Sequence, residues 1–402
     1  MMTPSHEPNP RLKPFSGPAL LSYGFRPFFL LAAVYAGFGV LIWLPMFFGE
    51  FAMPTAFSPL DWHIHEMLYG YLPAVITGFL LTAIPNWTGR LPLQGASLAG
   101  LVMVWIAGRI AVSVSAVVGP FTSAAVDGLF LLLVASATGR EVIARRNWRN
   151  LPPIFIVLIF LAGNVIFHVE DYETRAAEFS SRLGIAAAVM LIALIGGRVI
   201  PSFTRNWLAR ENPGRLPVPF GRFDQAVLIV SVLAMVSWVA NPAWIGTAVL
   251  MLFAAAAQAL RIARWAGHRT WRDRLVLVLH IGYAFVPLGF AMLAAHVFLP
   301  HVISISAGIH AWTTGAVGTM TLAIMTRASL GHTGRVLAAG PLTHGIYAAI
   351  VMAAVLRIAA AVLPSATTAL LQAAGAAWVA AFWMFAAGYG PLLMRPRRIG
   401  RP

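Results

Sequence analysis

The 402-residue chain has no cysteine. Disulfides, iron–sulfur clusters, thiolate-ligated haem and covalent c-type haem are therefore excluded. Any copper or zinc must take His, Met or carboxylate ligands. Charge is scarce as well: charged residues make up 10% of the chain, with 13 acids against 28 bases. A Walker A loop, a Rossmann fingerprint, a Gly-x-Ser-x-Gly elbow and a zincin motif are all missing. Hydrophobic residues, by contrast, reach 59%, and mean hydropathy is +0.79. No soluble domain needs that much apolar surface, so the bilayer is the main solvent. A net charge of +15 would suggest nucleic acid in a soluble protein. Here the arginines fall between apolar runs, where topology and lipid headgroups account for them, and no nucleic-acid partner is expected.

Windows of about 20 apolar residues predict an all-α polytopic protein of twelve spans. They run over 27–48, 62–84, 97–117, 120–138, 152–169, 182–203, 224–241, 243–264, 274–296, 302–325, 342–363 and 367–393. The turns at Gly119–Pro120, Asn241–Pro242 and Pro364–Ser365 are short enough to force antiparallel hairpins. Almost all the basic residues then fall on one face: Arg11, Lys13 and Arg26; Arg90; Arg140, Arg145, Arg146 and Arg149; Arg198 to Arg222; Arg261 to Arg274; Arg327 and Arg335; and Arg395 to Arg401. The other face has Arg175 and Arg182 beside Glu170, Asp171, Glu173 and Glu178. The positive-inside rule places both termini in the cytoplasm. Residues 1–20, Pro-rich and without an apolar h-region, read as a disordered cytoplasmic tail.

The chain forms one integral membrane domain, 1–402, with a weak internal repeat. Span 2 ends in Pro85-Asn-Trp-Thr88, span 6 in Pro201-Ser-Phe-Thr204 and span 10 in Met325-Thr326, at Thr-to-Thr spacings of 116 and 122 residues. These spacings suggest three four-helix units, about 20–140, 150–265 and 272–394.

Six of the 11 histidines fall at the end of the spans opposite the basic face: His63, His65, His168, His296, His301 and His310. Imidazole is the side chain best suited to hold haem iron or copper inside a protein. His63 and His65 are two residues apart, about 200° on a helix, so one iron cannot take both. His310 lies about two turns into span 10, running the same way as span 2, and one of the pair could face it across a haem. His168 ends span 5 on the same side. His296 and His301 flank a short turn and read as solvated. His280, three residues before Tyr283 in span 9, leaves a metal, a proton relay and an interhelical hydrogen bond open. Arg109 and Arg357 fall mid-span, where a lone arginine is costly. Haem propionates are one anionic partner for such forks, and backbone carbonyls or a carboxylate are the other. Asp127 is the main intramembrane acid.

Several stretches carry a family resemblance. Gly24-Phe-Arg26-Pro-Phe-Phe29, Trp62-His-Ile-His-Glu-Met67, Gly78-Phe-Leu-Leu-Thr-Ala-Ile-Pro-Asn-Trp-Thr-Gly-Arg90, Trp105-Ile-Ala-Gly-Arg109, His280-Ile-Gly-Tyr283 and the long run from His310 to Arg335 resemble the NnrS family of bacterial inner-membrane proteins. The resemblance runs from about residue 20 to 340. It implies a protein containing haem b and copper, located in the inner membrane and linked to nitric oxide metabolism, denitrification and nitrosative stress. His63, His65, His168, His280 and His310 are the metal-ligand candidates, with Arg109 and Arg357 as haem partners. A looser fold-level analogy is to haem–copper oxidase subunit I and the nitric oxide reductases, which ligate haem from helices 2 and 10. Those enzymes also take metal ligands from helices 6 and 7, which carry no histidine here.

The expected function is to bind or act on nitric oxide, which enters from the bilayer. Two alternatives are a nitric oxide reductase-like oxidoreductase drawing on a quinol donor, and a metal or haem transporter. A metal-free sensory membrane protein would be colourless when purified.

Overall fold

The computed structural model describes residues 15–398, apart from Arg90, Arg145 and Asn147 and the side chains of Asn86, Thr88 and Arg149. Tail residues 1–14, with His6, Arg11 and Lys13, lie outside the described residues, as do Arg90, Arg145 and Arg401 of the basic face.

All regular structure among the described residues is helical. The main helices are α1 (Phe25–Phe47), α2 (59–88), α3 (Gly95–Ser113), α4 (Pro120–Ala144), α5 (Leu151–Thr174), α6 (Glu178–Glu211), α7 (Arg222–Ala240), α8 (Ile245–Ala263), α9 (Arg274–Phe298), α10 (305–332), α11 (Pro341–Val362) and α12 (Thr367–Met394). Eleven of them are long and apolar enough to cross a membrane. The remaining one, α10, fills the place of the tenth expected span. It is a continuous helical run, but glycine, threonine and histidine interrupt its apolar sequence.

Local chemistry sets the helix starts. Ser58 caps α2 by accepting from the Asp61 amide at 3.1 Å, with Pro59 in the first turn. Asp273 caps α9 through the amides of Leu275 and Val276, and Ser304 caps α10. Side-chain oxygens at these positions satisfy amides that have no partner inside the helix.

Consecutive helices pack side by side, and α12 returns to lie against α1. Trp378 of α12 donates to the Ala36 carbonyl of α1 at 2.9 Å across that seam. Three helices contain a π-helical segment: Glu66–Tyr71 in α2, Ile192–Gly196 in α6 and Ala311–Gly318 in α10. These three touch one another. The first half of α6 packs on the π segments of both α2 and α10. Tyr71 of α2 and Thr321 of α10 share a 2.6 Å hydrogen bond. The wider π turn releases backbone groups and re-aims side chains, which is why such segments are frequent at functional sites.

Candidate metal and proton site on α2

His63 and His65 diverge from α2 into different surroundings, as their spacing requires. His65 is fully buried, in van der Waals reach of the rings of Phe57, Phe167 and His168. Its Nδ1 donates to Glu66 Oε1 at 2.9 Å, and its Nε2 donates to Asn164 Oδ1 at 2.9 Å and lies 3.2 Å from Asp127 Oδ2. Asn164 donates to Asp127 Oδ2 at 2.8 Å. His168 Nε2 meets the same oxygen at 3.2 Å.

Arg109 closes the network. Its Nη1 donates to Glu66 Oε1 at 2.6 Å, and its Nη2 is paired with Asp127 Oδ1. The Tyr35 hydroxyl donates to Glu66 Oε2. Four helices, α2 to α5, thus contribute to one buried ionic cluster, and Tyr35 links it to α1. The charges balance: two carboxylates face a guanidinium and an imidazole that has acceptors on both ring nitrogens. Such balance is what makes ionised groups tolerable away from water.

A glycine admits the arginine. A Cβ on Gly70, inside the π segment, would collide with Arg109 Nη1. The second π segment has a counterpart. A Cβ on Gly197, next to Ile192–Gly196, would collide with Arg261 Nη2. Arg261 is fully buried, donating to Asp224 at 2.9 Å, to the Ala193 carbonyl at 2.9 Å and to Tyr283 at 3.0 Å. In the sequence Arg261 counts as a loop cation of the basic face; in the fold it lies inside α8 with an ion-pair partner from α7.

His63 points elsewhere. It stacks on Trp43 of α1, with ring centroids 4.0 Å apart. Its Nδ1 is buried and has no hydrogen-bond partner. It lines a cavity of about 40 Å³ together with His310, Thr314, Arg357, Trp43 and Trp378. His310 Nδ1 lies 2.8 Å from the Ser306 carbonyl, which can only accept. The proton therefore sits on Nδ1, and Nε2 carries the lone pair, the tautomer that metal-bound histidines commonly show. Arg357 has one long hydrogen bond, 3.4 Å to Ser306 Oγ, and no carboxylate partner among the described residues.

The structure thus divides the sequence candidates into two groups. His65, His168 and Arg109 meet at Asp127, and His63, His310 and Arg357 meet at the cavity. His280 joins neither: its Nε2 bonds Thr204 of α6 at 2.9 Å. His296 bonds the Ile303 carbonyl at 2.8 Å in the turn, and His301 is exposed there. Sequence reasoning missed Glu66, Tyr35 and Asn164 as members of the cluster. Glu66 was visible as the acid after His65. Asn164 and Tyr35 gave no signal, because a single polar residue in an apolar run has no period.

His65, Asp127 and His168 have donor atoms within 4.8 Å of one another, the composition of a two-histidine, one-carboxylate metal site. Each of those Asp127 and His65 donors already has a protein partner. The cavity pair is different, with one orphaned imidazole nitrogen and one lone-pair nitrogen. Haem does not fit there: a porphyrin needs a pocket of several hundred Å³, against about 40 Å³. A single metal ion with a small ligand matches both the volume and the donors.

A family model described as NnrS protein matches residues 19–397. A comparison with curated proteins found no match.

Proposed function

Because the chain belongs to the NnrS family, a family of membrane proteins tied to the nitric oxide response, we propose that it binds nitric oxide at a metal ion held by His63 and His310. The observation that carries this reading is the pairing of a partnerless buried His63 Nδ1 with a His310 whose lone pair is left on Nε2. Copper suits the site, since imidazole is a good ligand for it and no thiolate is available. Such a metal, when bound, supplies an open coordination position for a diatomic molecule. Nitric oxide is neutral and small, and reaches such a site through lipid. Arg357 contributes a positive charge without a carboxylate partner, which favours an electron-rich ligand in the cavity.

Haem b, which the family resemblance implies, would need the lining of this cavity, Trp43 and Trp378 included, to open. The His65–Asp127–His168 group supports a second reading, a non-haem iron site, in which the metal takes the place of the proton on His65 Nε2. The bacterial inner membrane with both termini in the cytoplasm is the location we propose, on the bias of basic residues. Three four-helix units are likewise a proposal, supported by the recurrence of a π segment in every fourth helix, α2, α6 and α10.

Metal analysis with an absorption spectrum of detergent-purified protein tests the reading. One metal per chain, lost on His63→Ala and on His310→Ala, supports it. Metal that persists in both variants and is lost on Asp127→Asn transfers the site to the buried cluster. A Soret band that disappears with His63→Ala would establish haem in an opened form of the cavity.

A further inference from the structure

The last described residues of the chain are fastened over one end of the bundle. Past α12, the Arg398 amide donates to the Thr333 carbonyl at 3.0 Å. Arg26, 3% exposed at the start of α1, donates through Nη1 to the carbonyls of Leu393 at 2.8 Å and Arg395 at 2.7 Å. The strap passes so close to Gly334 that an added Cβ would collide with the Arg398 carbonyl oxygen. Gly334 also has φ +72°, a conformation that favours glycine. The turn after α10 is thus shaped to receive residues 395–398.

This fastening gathers cations. Arg395 and Arg398 lie within electrostatic reach of Arg335, and Arg26 and Arg397 lie within reach of His332. His332 also meets the Phe25 ring, with centroids 5.4 Å apart. Acids are missing from the stretches that build this end: from Pro8 to Gly49 and from Arg274 to Pro402 the sequence has none. No ion pair reaches any of the five arginines among the described residues. Partial burial, and then Arg398 and Arg395, hold the Arg335 guanidinium below the ordinary arginine range. Like charges so placed repel, and the backbone bonds of the strap keep them from spreading apart. A guanidinium fork is best complemented by carboxylate or phosphate oxygens, and the chain supplies no carboxylate here.

Two apolar neighbours indicate the source of the anion. Val336 and Leu337, next to Arg335, are 82% and 47% exposed. A turn bathed in water gains nothing from such residues. At a bilayer surface they rest among acyl chains while the arginines stay level with the headgroups. A phospholipid meets both surfaces at once, whereas a soluble phosphate meets only the cations. A zwitterionic headgroup brings its own cation and leaves the repulsion in place.

We infer that Arg335, Arg397 and Arg398 bind the phosphate of an anionic phospholipid, and that this lipid holds the C-terminal strap on the turn after α10. The site lies at the opposite end of α10 from His310 and does not rest on the metal reading.

The test uses the full chain in nanodiscs of phosphatidylglycerol or of phosphatidylcholine, with hydrogen–deuterium exchange read on the peptide containing Arg398. The Arg398 amide should be protected in phosphatidylglycerol and lose that protection in phosphatidylcholine. Native mass spectrometry from a mixture of the two lipids should show phosphatidylglycerol retained. Arg335→Gln and Arg397→Gln should each lower its ratio to phosphatidylcholine by about fivefold, the weight of one arginine near a charged membrane surface. Arg272→Gln removes one exposed charge from another loop of the basic face and should match the parent. Equal protection in the two lipids, or a ratio lowered as much by Arg272→Gln as by Arg335→Gln, would overturn the proposal. So would protection restored in phosphatidylcholine by inorganic phosphate, which would make the ligand a soluble anion.

Discussion

Arg109 Nη1 lies 2.6 Å from Glu66 Oε1, joining α3 to the π segment of α2 inside the bundle. The same guanidinium reaches Asp127 of α4, so one side chain neutralises carboxylates from two helices.

Removing that guanidinium leaves two buried carboxylates with only the imidazoles of His65 and His168 beside them. Arg109→Ala should destabilise the protein by about 3–5 kcal/mol, the cost of breaking a buried ion pair from one side. Arg109→Lys should recover only part of this, because a single ammonium cannot span Glu66 and Asp127 as the fork does. Thermal unfolding in detergent, followed by tryptophan fluorescence, checks both.

Two glycine substitutions should have opposite signs. Gly70→Ala drives a methyl group into Arg109 and should cost about 1–3 kcal/mol. Gly100→Ala, on the exposed side of α3 with nothing within 4 Å of the added carbon, should stabilise by about 0.4–1 kcal/mol. Equal melting temperatures for the two variants would contradict the close approach of Arg109 to α2.

Metal content separates the histidines. His63→Ala and His310→Ala should each lower metal occupancy by at least about tenfold, whereas His301→Ala and His344→Ala leave it unchanged. Ser306→Ala keeps the carbonyl that orients His310 and should retain metal. Inductively coupled plasma mass spectrometry on each purified variant gives the answer.

Asp273 caps α9 outside the membrane-spanning segments, and burial raises its carboxyl above the ordinary range. A carboxyl whose folded pKa exceeds its unfolded one binds more protons in the folded state. Its contribution to stability therefore falls as pH rises from the ordinary aspartate range through the raised value. Asp273→Asn keeps an acceptor for Leu275 and Val276 and should flatten that pH dependence. Asp273→Ala loses the cap and should cost about 1 kcal/mol. Melting curves between pH 4 and 8 distinguish the two.

The divergence of His63 and His65 was readable before any coordinates, because two residues on a helix are always about 200° apart. Their partners were not. The sequence left His63 and His65 as interchangeable mates for His310, and only the packing of α1 and α12 around His63 places it beside His310 in one cavity. Arg109 and Arg357 looked alike as lone mid-span arginines. Folding gives Arg109 two carboxylates and leaves Arg357 with a weak hydroxyl contact. Arg261 reversed its apparent role for a related reason: a cation near a helix end reads as a loop charge unless a neighbouring helix supplies an acid, as α7 does with Asp224.

What the sequence determined by itself was the solvent and the helical architecture. Apolar runs of span length must bury their backbone hydrogen bonds within themselves in lipid, and this leaves helices as the outcome for such runs. What tertiary structure alone decided was the pairing of polar groups. A buried charge or imidazole is tolerated only beside a complement, and the complements here come from helices up to several hundred residues apart in the chain. No local period in the sequence records which helix will stand opposite which.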